Sequence, residues 1–303
     1  MKTSVRALKA KLPIVVSNPD KVFWPEDGYT KLDLLEYYAA IFPKLLPYVK
    51  DRILSLERCP DGMKGECFYQ KEIPTGMPPN TPTKGIETPQ GKRKSVNYVV
   101  GGLLKTQLAL ANLSSIAVHI MPGRASVPCH SDWVCFDLDP ESGKFPDAAR
   151  AGLLVKETLD ALKLDSFAKT SGSRGMHVLV PIHTGPDASE VLAFAEKVVA
   201  RVAAAHPNEL TAEHSVAARG GRVYLDPFRN GFGQTVVAPY SVRRRAHAPI
   251  STPLAWSEVN PELDPADFNL KDFLRRTRRA DPWHDFFGSR QSLKDAVRLV
   301  AKL

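Results

Sequence analysis

The chain has 303 residues, with 41 Lys and Arg against 33 Asp and Glu for a formal net charge of +8, and 43% of it is hydrophobic. That composition can bury a core and speaks against disorder, the length suggests one large α/β unit or about two domains, and no apolar run approaches the roughly 18 residues that span a bilayer, which excludes a transmembrane helix. The basic balance points to an anionic partner, most often nucleic acid, without fixing which.

The N-terminal stretch is basic, and its apolar run at 12–16 is too short for a signal-peptide core, so a cytoplasmic protein is expected. Residues 32–46 carry apolar side chains at helical spacing, with Thr30 as the N-cap. Short strands are expected at 52–58 and 67–73. Residues 73–94, rich in Pro, Gly, Thr and Lys, read as a long exposed loop. A strand at 98–100 and a mostly apolar helix at 103–113 follow. From Asp132 strand and helix alternate: strand 133–138, helix 146–162, strand 176–182, helix 187–205, then strands 222–225 and 235–237. The tail, with Pro253, Pro261 and Pro265, reads as turns and short helices wrapped on the surface, ending in a helix from Ser292. The order predicts a mixed sheet with helices packed against it and no dividing linker. Cys59, Cys67, Cys129 and Cys135 form no CxxC pair and have no His at zinc-finger spacing. They are expected as buried thiols in a reducing compartment.

Asp137-Leu138-Asp139 ends the apolar strand at 133–138. Alternation along a strand turns both carboxylates to one face, about 7 Å apart by rise. Such anions repel unless a cation neutralises them, and a divalent metal with oxygen ligands does so. An exposed acidic turn begun by Asp139-Pro140 is the plainer alternative. Asp226 ends the next relevant strand and repeats the Asp-Pro close. Three acids on adjacent strand ends would suit the paired metals of in-line phosphoryl transfer; a simple turn aspartate fits the local sequence as well.

The segment KTSGSRGMH (169–177) supplies hydroxyls at Thr170, Ser171 and Ser173, and close backbone approach at Gly172 and Gly175. Arg174 and His177 add charged or switchable donors. Lying between strands, it reads as a phosphate cradle on a hairpin, or as an ordinary solvated β-turn. In APYSVRRR (238–245), extended backbone would put Arg243 and Arg245 on one face, suited to phosphate, with Arg244 opposed. A solvated basic edge strand is the alternative there. Arg275, Arg276, Arg278 and Arg279 read as a solvated helix face.

Taken in order, CFDLDP (135–140), KTSGSRGMHV (169–178), VYLDPFRN (223–230) and APYSVR (238–243) resemble the polymerase domain of bacterial DNA ligase D, of the archaeo-eukaryotic primase-polymerase superfamily. NPDKVFWP (18–25), GYTKLDLLEYY (28–38), CFYQKE (67–72) and AVHIMP (117–122) extend the resemblance over most of the chain. It implies a primase-polymerase fold and template-directed addition of ribo- or deoxynucleotides to DNA 3′ ends during non-homologous end joining, with two divalent metals, Mn²⁺ or Mg²⁺. Asp137, Asp139 and Asp226 match the family's metal ligands. Ser171, His177 and Arg243 match its triphosphate-binding side chains, with Gly172 and Arg174 in the same cradle, and Arg229 matches a basic residue needed for activity. Lys21 and Lys31 match lysines that hold the 5′-phosphate of a downstream strand. Phe68 and His119 match residues that contact the template near its turn, and an aromatic such as Phe68 offers a stacking face without sequence preference.

The implied arrangement is one catalytic unit over 1–303: an N-terminal DNA-binding part (1–130), a metal- and nucleotide-binding core (131–250) and a C-terminal wrap (251–303). The implied partners are DNA ends or gaps bearing a 5′-phosphate, nucleoside triphosphates, Ku and a DNA ligase, with no membrane and a nucleoid-associated, cytoplasmic setting. Relatives carry ligase and often phosphoesterase domains, for which 303 residues leave no room. Two other readings compete. A DxD metal phosphatase or nuclease would want a phosphoaspartate context, and no Thr stands two residues after Asp139. A non-catalytic DNA-end-binding module would leave three strand-end acids without a purpose.

Overall fold

In a computed structural model, which describes residues 12–87 and 95–302, two short paired strands, β1 (Val22–Trp24) and β2 (Tyr29–Thr30), lead into helix α1 (Lys31–Val49). Thr30 caps α1 reciprocally: its hydroxyl accepts the Asp33 N–H, and the Asp33 carboxylate accepts the Thr30 N–H. The helix runs past residue 46 and through Pro43 and Pro47, each a poor interior residue. Burial of Leu34, Leu35, Tyr38, Ile41, Leu45 and Val49 along one side outweighs that local cost.

Strand β3 (Arg52–Arg58) pairs with the edge strand β4 (Phe68–Gln70) and with β7 (Ser115–Arg124); between them in sequence lie β5 (Thr83–Glu87), β6 (Ser95–Val99) and helix α2 (Leu104–Asn112). Two expectations change here. The long loop contains β5, which pairs with β6 in a separate hairpin, so Pro and Gly punctuate strand ends rather than a structureless stretch; its residues 88–94 lie outside the described part. Cys59 and Cys67 are joined in a disulfide, 4.4 Å between Cα atoms, because the β3–β4 pairing brings the ends of the intervening loop together. Cys135 is a buried thiol as expected, whereas Cys129 is free but exposed.

β8 (Val127–Ser131) pairs back on β7, and the chain enters the central strand β9 (Trp133–Pro140). Helix α3 (Phe145–Ala161), β10 (Phe167–Thr170), β11 (Met176–Pro181), α4 (Ala188–Ala205), β12 (Leu210–Thr211), the one-turn α5 (Val216–Arg219) and β13 (Val223–Asp226) follow. β14 (Val236–Val237) joins β7; β15 (Pro253–Leu254) joins β10; α6 (Phe273–Arg276) and α7 (Lys294–Val300) close the chain.

The result is two main sheets beside the two-stranded β1–β2 and β5–β6 ribbons. One has the order β12-β13-β9-β11-β10-β15, with only the β12–β13 pair parallel; the other runs β14-β7-β3-β4, with β8 beside β7. Helix α3 covers the first sheet so closely that a Cβ on Gly152 would lie 2.8 Å from the Met176 sulfur. The helix-flanked mixed sheet expected from the strand–helix alternation is present, and the second sheet is the addition.

The sheets are tied by a buried charge cluster. Arg52 of β3, wholly buried, donates to Asp132 at the start of β9 and to the Pro122 carbonyl, and lies 3.7 Å over the Trp133 ring. Arg124 donates to the other Asp132 oxygen at 2.7 Å. Asp132→Ala leaves the Arg52 guanidinium buried without its anion, which costs about 3–5 kcal/mol. Urea unfolding checks this; a loss below about 1 kcal/mol would show that the cluster contributes little.

Candidate active site

The site grows from the register of four adjacent strands. Asp226 of β13 stands opposite Asp137 of β9, Asp137 opposite His177 of β11, and His177 opposite Lys169 of β10. Directly paired residues share a face, so these four side chains form one row across the sheet. Asp139, two residues after Asp137, turns to the same side. Phe136 and Leu138, which flank Asp137, are buried in the core on the other face.

Asp137 is the centre of the row. His177 Nε2 lies 3.1 Å from one of its oxygens and Arg229 Nε 3.1 Å from the other. Arg229 also reaches Asp226, at 3.3 Å. It does so because Asp226-Pro227 opens a single 3₁₀ turn (Phe228–Asn230), in which Asp226 accepts the Phe228 N–H at 2.7 Å. The Asn230 amide exchanges two hydrogen bonds with the Cys135 backbone, 2.8 and 2.7 Å, and pins this turn to β9.

The electrostatics follow from crowding. Burial pushes the Asp137 carboxyl up, but His177 and Arg229 more than offset it and hold the group well below the usual carboxylate range. Asp139 has no such pair of partners, and burial together with the Asp137 charge raises it to about 7. Asp226 is raised by burial, against the pull of Arg229. His177 is lowered to about 4 by burial and the nearby Lys169, which makes it a neutral imidazole donating through Nε2. Among the described residues no three His, Cys, Asp or Glu side chains stand close enough to enclose a metal ion, and Arg229 lies between two of the acids.

The expected cradle is the β10–β11 turn. Ser171 N–H donates to the Gly175 carbonyl, and the Ser171 hydroxyl accepts the Ser173 and Gly175 N–H groups. Gly172 has φ +70°, and a Cβ there would lie 2.6 Å from Arg243 Cγ; one at Gly175 would lie 2.5 Å from the Leu138 carbonyl. The glycines let the turn sit directly on β9 and on the arginine segment. Arg243 donates to the Ser171 carbonyl at 3.2 Å. Arg243 and Arg245 both line the cleft, while Arg244 turns away to Glu57, 2.8 Å; a bend in which the Arg245 N–H donates to the Arg243 carbonyl, rather than the expected extended strand, produces this.

The second sheet forms the opposite wall of a cleft of about 400 Å³, through Tyr69, His119 and Val237. Asp137, Asp139, Ser171, Arg174, His177, Arg229 and Arg243 all line it. The structure separates the two residues matched to a template. Phe68 is 44% exposed on the edge strand β4, under Arg58, whereas His119 is buried in the cleft wall beside Tyr69, its ring lowered to about 3 by burial and Arg243. Nδ1 of both His119 and His177 is buried without a partner among the described residues.

Lys21 and Lys31 are brought together, since the Lys31 N–H donates to the Lys21 carbonyl. Their ammonium groups differ. Lys21 bridges to Asp61 at 2.7 Å, and Lys31, 3% exposed, donates to Ser17 and to the Asn112 carbonyl. Sequence reasoning named Arg245 with Arg243 but missed Tyr69 in the cleft wall and the buried Lys169 in the strand row. Lys169 carried a signal, its place at the head of the KTSG motif.

Acidic strand ends facing a glycine-bearing hairpin, on this pair of sheets, are the features of a primase-polymerase fold. The chain belongs to the LigD primase-polymerase domain family, whose model matches residues 30–283. It is 30% identical over 292 residues to a multifunctional non-homologous end joining protein LigD of Pseudomonas aeruginosa, covering 93% of this chain and 34% of that protein. It is 28% identical to a bifunctional LigD of Bacillus subtilis, over 90% and 44% respectively. The chain thus spans less than half of these relatives. The polymerase domain of Mycobacterium tuberculosis ligase D, solved in complex with DNA, superposes with a TM-score of 0.85 at 26% identity, covering 93% of this chain and 100% of that one.

The raised Asp139 carboxyl makes a stability prediction for the metal-free protein. The folded state holds this proton more tightly than the unfolded chain does, so stability falls as pH rises from about 4 to about 7. Metal-free Asp139→Asn is therefore expected to melt above the wild type at pH 8 and level with it near pH 4. Melting curves at the two pH values check this; equal curves at pH 8 would contradict it.

Proposed function

We propose that the chain is a template-directed nucleotidyltransferase that adds ribo- or deoxynucleotides to DNA 3′ ends and fills gaps in non-homologous end joining, alongside Ku and a DNA ligase. The observation that supports this reading is a cleft lined by Asp137, Asp139 and the 171–177 turn, with Asp226, outside the lining, paired to Asp137 on the next strand. The donors fit divalent cations. They are hard carboxylate oxygens, and two of the three have proton affinity raised by burial and, less, by the neighbouring Asp137 charge. Asp137, Asp139 and Asp226 would hold Mn²⁺ or Mg²⁺, which when bound lowers the pKa of a primer hydroxyl and offsets phosphate charge.

The rest is the work of the chain's own groups. Ser171, the turn backbone around Gly172, Arg174 and Arg243 present donors to a triphosphate, and His177 orients Asp137 while staying neutral. Arg229 neutralises Asp137 and Asp226, a charge role that a cation would assume. Exposed Phe68 and Tyr69 offer stacking faces for template bases. Lys21 and Lys31 suit a downstream 5′-phosphate, with Lys21 exchanging Asp61 for it. The basic chain suits work at the nucleoid, and no described helix is long and apolar enough to cross a membrane.

Primer extension on a gapped duplex, with and without Mn²⁺, tests the reading; a wild-type protein that adds nothing in either case would refute it. Asp137→Ala is expected to abolish extension while leaving DNA affinity within about threefold, because phosphate contacts of Lys and Arg carry binding. Wild type is expected to bind gapped DNA more tightly when the 5′-phosphate is present. In Lys21→Ala/Lys31→Ala that preference disappears and the salt dependence flattens by about one to two units of slope. An equal preference in both proteins would remove these lysines from the site.

A further inference from the structure

Lys169 is the member of the strand row with no role so far. Its side chain is wholly buried on β10, between β11 and the edge strand β15. Among the described residues its ammonium makes one hydrogen bond, to the Ser251 hydroxyl at 2.7 Å, and no ion pair includes it. Ser251 is itself fixed: its hydroxyl donates to the Thr170 carbonyl, its N–H to Ser241, and its carbonyl accepts the Tyr240 N–H. The lysine head is therefore held at a defined place rather than left to swing.

A buried ammonium without a carboxylate partner is costly, and nothing about stability calls for one. Its surroundings are those of the nucleotide cleft. His177 is its cross-strand neighbour, Asp137 and Cys135 face it from β9, and Arg243 and His119 approach from the arginine segment and the second sheet. Ser171, two residues on, leaves the strand on the same side and lines the cleft. Burial lowers the ammonium to about 7, with Arg243 adding to the shift and Asp137 opposing it. An arriving polyphosphate adds negative charge in the same low-dielectric region, where one positive charge counts for far more than in water.

We infer that Lys169 is a positioning residue for the triphosphate: its buried charge forms a positive floor beneath Ser171, His177 and Arg243, and polyphosphate affinity depends on it. The inference deepens the nucleotidyltransferase reading and rests on it. Its test uses inorganic tripolyphosphate with Mn²⁺, measured by calorimetry on wild type, Lys169→Met and Lys169→Gln. Glutamine retains a hydrogen-bonding end for Ser251 without the charge. Both variants are expected to lose tripolyphosphate affinity on the order of tenfold or more. In primer extension the nucleotide KM rises by a similar factor with a smaller change in kcat, and gapped-DNA affinity is unchanged. Melting temperature stays level or rises in Lys169→Met, because removing a buried unpaired charge relieves its desolvation.

Wild-type affinity for tripolyphosphate in either variant would overturn the inference. So would a fall of Lys169→Met to an unfolded or much less stable protein, which would make the lysine structural. Failure of the underlying reading looks different: wild type itself would extend no primer.

Discussion

A single buried carboxylate governs the arrangement of this site. Asp137 keeps its charge in the middle of a sheet because a neutral imidazole and a guanidinium bind its two oxygens. Each partner is delivered by a different device. His177 arrives by strand register, one position across β11. Arg229 arrives by a 3₁₀ turn that Pro227 opens and Asn230 locks to the Cys135 backbone. A shift of one residue in either strand would turn its site residue to the helix-packed side. The dense core under α3 and α4 is what makes such a shift prohibitive.

The two walls of the cleft are built to different standards. The acid-bearing wall is built on a six-stranded sheet, with Asp137 and His177 nearly buried on its two middle strands and Lys169 wholly buried on the next. The opposite wall ends in the three-residue edge strand β4, where Phe68 and Tyr69 stand exposed and the Cys59–Cys67 bridge closes the preceding loop. Rigid placement suits groups that must meet a phosphate at fixed distance. An exposed aromatic edge suits bases of any identity, which present faces rather than fixed donors.

The local parts of this design were readable in the sequence. The Asp137-Leu138-Asp139 spacing, the glycines at 172 and 175, and the turning of Arg244 away from Arg243 and Arg245 each depend on a few neighbouring residues. What was not readable depends on distant ones. β10 is four residues long and defined by its partners, β5 is hidden among prolines, and the Cys59–Cys67 bridge exists because β3 and β4 pair. The burial of Lys31 requires Ser17 and Asn112, and that of His119 requires the second sheet to close over the first. Lys169 is the sharpest case: a motif lysine that composition would leave in solvent lies at the bottom of the molecule.

The segment beyond Arg243 reaches back to the first strand of the fold. The Trp24 indole, wholly buried, donates to the Arg245 carbonyl at 3.0 Å, and Asp27 receives His247 at 2.9 Å. Phe23 beside it is equally buried, and its carbonyl accepts the Met63 N–H. The family match begins at residue 30, after all of these contacts. A fragment cut at that boundary would lack two aromatic core residues and the anchor of its arginine segment. The physical edge of this folding unit therefore lies upstream of Phe23, and the family model's boundary draws it too short.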